Sequence, residues 1–134
     1  MMQVKPMRYY LTFIGLGVFF WLAFLIVIRL IGTAVFTAVF TTGNPLLLVV
    51  FILSAPLVWL IIIAVARVTN TPTNEMFVPI VIIDFTALLL DGLAVGFTNL
   101  YGPTHDQIAA GSAYLLWGVA LTLICALWFS YREA

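Results

Sequence analysis

Phe77-Val78-Pro79-Ile80-Val81-Ile82-Ile83-Asp84-Phe85-Thr86-Ala87-Leu88-Leu89-Leu90-Asp91-Gly92-Leu93-Ala94-Val95-Gly96-Phe97 is an apolar run interrupted by two carboxylates. Its length matches the roughly 20 residues that an α-helix needs to cross a bilayer. Three other stretches have the same character: Tyr9 to Ile31, Pro45 to Ala66, and Ile108 to Tyr131. Unpaired backbone amides are costly in lipid, so only helices and closed barrels cross it. These runs lack the apolar and polar alternation of a barrel strand. The pattern predicts an all-α integral membrane four-helix bundle, residues 1–134 forming one membrane domain.

Composition agrees with that solvent. Of 134 residues, 65% are hydrophobic and 7% charged, against roughly 25% charged in a soluble domain. Five basic and five acidic side chains cancel, which removes the basic footprint of a nucleic-acid binder. The expected partners are the lipid bilayer and other membrane subunits or a second copy, not nucleic acid. Lys5 and Arg8 before the first run imitate a signal peptide. The run is longer than a cleavable one and no small-x-small cleavage site follows, so the segment is expected to be retained.

The breaks between runs carry helix-end signals. Asn44 is a candidate N-cap before Pro45, whose missing N–H costs nothing at a first helical position. Thr69 to Asn74 is a polar turn, and Gly102-Pro103 precedes the capping box Thr104-His105-Asp106-Gln107. Thr33-Ala34-Val35-Phe36 is repeated at once as Thr37-Ala38-Val39-Phe40. One helix from Tyr9 to Phe40 would be about 48 Å long, more than a bilayer core requires, so a break is expected near Gly32. With four crossings, Lys5, Arg8, Arg67 and Arg132 fall on one side, which predicts cytoplasmic termini. Arg29 falls near the opposite end and is expected to snorkel there.

Asp84 and Asp91 are seven residues apart, about 700° of helical turn and about 10.5 Å of rise, so they share a face without sharing a proton. A carboxylate in hydrocarbon costs roughly 2.5 to 3.5 kcal/mol or more and usually faces a bundle interior, a partner or water. Asp84 is either a proton or cation relay or a packing contact that fixes helix register. Asp91 is placed to pair with Arg29. Ser54 and Thr86 by themselves make no polar pathway. Pro56, mid-way along the second run, removes a backbone hydrogen bond and should bend it beside Ser54, and Pro79 invites a kink before Asp84.

Small residues at Gly92 and Gly96 on the third run, and at Gly111, Gly118 and Cys125 on the fourth, suit close helix approach, within the chain or between chains. Cys125 is the sole cysteine, so no intrachain disulfide is expected. His105, the sole histidine, lies in a loop, so no haem ligand and no metal site are expected. No cofactor is expected. The aromatic fraction of 15% includes Tyr9, Tyr10, Trp128 and Tyr131 as a boundary belt, with Trp21 and Trp117 deeper.

Three segments together resemble a bacterial family of small four-helix membrane proteins catalogued as a domain of unknown function, number 5367. They are Trp21 through Arg29-Leu30-Ile31-Gly32, then Val78 through Asp84, and Phe97-Thr98-Asn99 followed by Tyr114-Leu115-Leu116-Trp117. Thr98 stands where that family commonly has proline, and Asp91 falls outside its pattern. The resemblance implies four helices and draws attention to Arg29 and Asp84, with no activity attached.

No nucleophile, base and metal constellation stands near a membrane face, so an enzyme is not expected. The leading expectation is a noncatalytic accessory or structural subunit packing against other membrane proteins, in a bacterial inner membrane or one derived from it. The alternative is a small proton- or cation-coupled transporter or channel using Asp84.

Overall fold

The computed structural model describes residues 4–31, 45–98 and 105–132, side chains of residues 28–31, 106, 107 and 110 excepted. Four α-helices and one 3-10 turn account for the regular structure there: α1 (Met7–Ile31), α2 (Pro45–Val68), the turn Thr73–Glu75, α3 (Phe77–Phe97) and α4 (His105–Arg132). Each α-helix is long and apolar enough to cross a membrane. The expected break near Gly32, the Asn44 cap, the tandem repeat and the Thr104 capping box lie outside the described residues.

Successive helices run antiparallel, but neighbours in sequence are not the main neighbours in space. α1 docks on α3, α3 on α4, and α4 on α2, while α1 and α2 touch only sparsely. α1 approaches α3 closely at Gly17. A Cβ there would stand 2.8 Å from Thr86 Cβ and 2.9 Å from the Ile83 carbonyl oxygen, so only glycine lets α1 come this close to α3.

The end holding the α2–α3 connection is close-packed. α2 stops in a Schellman motif: Thr71 N–H bonds the Ala66 carbonyl at 2.9 Å and Asn70 N–H the Arg67 carbonyl. Asn70 takes the left-handed conformation (φ 51°) that this motif requires. The chain then turns through Thr73–Glu75 into α3, and Ser130 Oγ of α4 donates to the Asn74 carbonyl. Met76, just beyond the turn, is completely buried with Ile62, Phe13 and Phe129. Here Trp59 packs on Phe129 with ring centroids 4.3 Å apart, and Tyr9 meets Phe13 edge-on at 5.0 Å.

Outward faces are apolar throughout: Leu46, Val49, Ile52, Leu53 and Leu60 on α2, Phe85, Leu89 and Leu93 on α3, and Leu116 and Ile124 on α4 are exposed. Soluble monomers rarely expose contiguous apolar surface on this scale. Ser54, Asp84 and Asp91 instead turn inward, the reverse of a water-soluble bundle.

Candidate functional site: a carboxylate on a central cavity

α3 buries Ile80, Ile83, Asp84, Asp91 and Ala94, a helical stripe in which both acids lie on the face turned into the bundle. Each is only 7% exposed. A cavity of about 420 Å3 lies among the helices, and all four contribute to its wall. Asp84 from α3 meets Thr122 from α4 there, and Ser54 from α2 meets Tyr114 from α4.

Thr122 Oγ1 donates to Asp84 Oδ2 at 2.5 Å, and the same hydroxyl lies 2.7 Å from the Val119 carbonyl oxygen. One proton thus has two acceptors in reach. Ser54 Oγ donates to the Val50 carbonyl at 2.8 Å, which commits its proton, so in the 2.7 Å contact between the two hydroxyls Tyr114 is the donor. Pro56 lies within α2 close by and deprives the Ile52 carbonyl of its usual intrahelical donor.

Aromatic side chains supply much of the remaining wall. Phe20, Trp21 and Phe24 line it from α1. Phe24 stacks on Tyr114 with centroids 5.6 Å apart and planes within 9° of parallel. Tyr114 also meets Phe51 at 5.5 Å, and Trp117 stacks on Phe51 while its Nε1 donates to the Phe51 carbonyl at 2.8 Å. Trp21 Nε1 is buried and has no hydrogen-bond partner among the described residues.

The sequence-derived candidates fare differently. Asp84 reaches the cavity. Asp91 is buried on the same face, but its expected pairing with Arg29 lies outside the described residues. Thr86 donates to the Ile82 carbonyl of its own helix and packs on Gly17, away from the site. A Cβ at Gly92 or Gly96 would meet nothing within 4 Å, so neither glycine serves close packing among the described residues; Gly17 does that instead. Gly111 is buried. Gly118 belongs to the cavity wall, with open space where its Cβ would be. Cys125 is a free, half-buried thiol against the core. Among the described residues no group of three His, Cys, Asp or Glu side chains gathers to hold a metal ion, and His105 is exposed at the start of α4.

Thr122 and Tyr114 are the polar partners that sequence reasoning missed. A signal was present: Thr122 follows Gly118 by one helical turn, on the Gly111, Gly118 and Cys125 stripe. No family model matches this chain, and no curated protein and no solved structure is significantly similar to it.

Proposed function

We propose that the chain is a small multi-pass membrane carrier in which Asp84 alternates between holding a proton and holding a cation. One observation carries this reading: a buried carboxylate opens onto a cavity at the centre of four membrane-length helices and is hydrogen-bonded by a hydroxyl that has a second acceptor. A charge in such surroundings must be neutralised by a proton or by a counter-cation.

Thr122 makes exchange between those two states inexpensive. With Asp84 ionised, Thr122 donates to it. With Asp84 protonated, the acid donates to Thr122 Oγ1 and the threonine proton turns to the Val119 carbonyl, so no polar group is stranded in either state. Tyr114 is the other titratable side chain in the wall, and its hydroxyl is engaged with Ser54.

The membrane is proposed to be a bacterial inner membrane or one derived from it, with both termini cytoplasmic. Lys5, Arg8, Arg67 and Arg132 stand at the ends of α1, α2 and α4 that meet around the close-packed end, as expected of a cytoplasmic face. Membership of the small four-helix family numbered 5367 belongs to the same proposal and adds no activity to it.

Purified protein in liposomes tests the carrier reading. Wild type is expected to dissipate an imposed proton gradient when a permeant cation gradient opposes it, and Asp84→Asn to abolish that flux. Equal flux in both, or none in either, overturns it.

A second reading has its own support. Gly92 and Gly96 present a small-residue surface that nothing in the chain covers among the described residues, which suits a noncatalytic accessory subunit packing against other membrane subunits. Gentle extraction followed by size analysis tests it: a clean monomer or homodimer counts against it.

A further inference from the structure

We infer that the central cavity binds a lipophilic organic monocation, an ammonium group attached to a compact apolar or aromatic body, with Asp84 as its counter-charge. The inference rests on the carrier reading for its site and adds the chemical class of the cargo.

Three properties of the wall select this class. Its volume, about 420 Å3, lies within the range of small-molecule sites, whose walls are mainly apolar with a few placed polar groups. Its chemistry is nearly all hydrocarbon: Val58, Ile61, Ile62, Ile80 and Ile83 line it with Asp84 from α2 and α3. A body that fills this space must be apolar, and a head group beside Asp84 must be positive.

A bare inorganic cation is poorly served by the same wall. Hard divalent ions take roughly six to eight oxygen ligands. The side chains of the described wall offer one carboxylate and the hydroxyls of Thr122, Ser54 and Tyr114, fewer oxygens than such an ion needs. A quaternary ammonium, by contrast, is weakly hydrated and is attracted by aromatic faces, and Phe20, Trp21, Phe24 and Tyr114 line the same cavity as Asp84.

Gly118 gives an independent handle. It lies on the same face of α4 as Leu115, Val119 and Thr122, and open space awaits a side chain there. Gly118→Leu would therefore occupy the cavity while leaving the carboxylate in place.

The test is a binding titration of the full chain in detergent micelles with benzyltrimethylammonium, using neopentylbenzene, its neutral isostere, and potassium chloride as competitors. Wild type is expected to bind the cation saturably at one site, and neither competitor to displace it at equal concentration. Asp84→Asn is expected to weaken binding about tenfold or more, Asp84→Glu to retain it, and Gly118→Leu to remove it. Absence of saturable binding, displacement by the neutral isostere at equal concentration, or unchanged binding in Gly118→Leu overturns the inference. Should Asp84→Asn fail to fold, the Gly118→Leu and competition results decide alone. No gradient is imposed, so the two readings separate: binding without flux upholds this inference and defeats the carrier, whereas Asp84-dependent flux without binding does the reverse.

Discussion

Thr122 Oγ1 on α4 stands 2.5 Å from Asp84 Oδ2 on α3 and 2.7 Å from the carbonyl oxygen of Val119. That position lets one hydroxyl serve a charged or a neutral acid. Thr122→Val keeps the shape and removes the hydroxyl, and it is expected to slow Asp84-dependent flux about tenfold, the loss of roughly 1.4 kcal/mol from a hydrogen bond to a charged group worth about 1.5–3 kcal/mol. Thr122→Ser should retain most of the rate. Liposome flux at matched protein density measures both, and equal slowing by valine and serine would show that packing, not the hydroxyl, matters.

Two glycine substitutions should behave oppositely. Gly17→Ala forces a methyl group against Thr86 Cβ and the Ile83 carbonyl oxygen, so α1 must move off α3, at a cost of about 1–3 kcal/mol. Gly92→Ala meets open space and should raise the isolated chain's stability slightly, by up to about 1 kcal/mol, because alanine loses less backbone freedom in a helix than glycine. Thermal unfolding in detergent compares them. A fall in unfolding temperature for Gly92→Ala alone would place the close approach on the wrong glycine.

Tyr114→Phe removes a donor and leaves Ser54 still bonded to Val50. Because no hydroxyl is stranded on the α2 side, the expected loss is about 0.5–1.5 kcal/mol. The stacking of this ring on Phe24 and its contact with Phe51 are retained. Chemical unfolding in micelles would register a much larger loss if the hydroxyl pair held α2 to α4 by itself.

Met76→Ala should be the most damaging of these changes. The side chain is wholly buried among Phe13, Ile62 and Phe129, and truncating such a residue costs about 2–5 kcal/mol. Glu75→Ala, one residue away and exposed, is the matched control and should unfold at the wild-type temperature.

Helix positions were legible in the sequence because they depend on one local property, apolar run length. α3 runs over Phe77–Phe97, the same bounds read from the sequence, and α2 begins at Pro45. α1 starts two residues before Tyr9 and α4 three before Ile108, since polar residues at a helix end form backbone hydrogen bonds as well as apolar ones do. The shared face of Asp84 and Asp91 was legible too, from the helical period alone. Which residues would face Asp84 was not. Thr122 lies on another helix, and lipid-solvated helices lack the amphipathic stripe that reveals inward faces in soluble bundles. The close approach within the chain was not legible either, because Gly17, which makes it, is paired with no second glycine at four residues.

The packed turn around Met76 works as a stopper. Whatever enters the hollow beside Asp84 is barred from leaving past Ile62, Met76 and Phe129. Passage across would demand that this plug loosen, and α2, short of one rung of its hydrogen-bond ladder at Pro56, is the stave best able to flex.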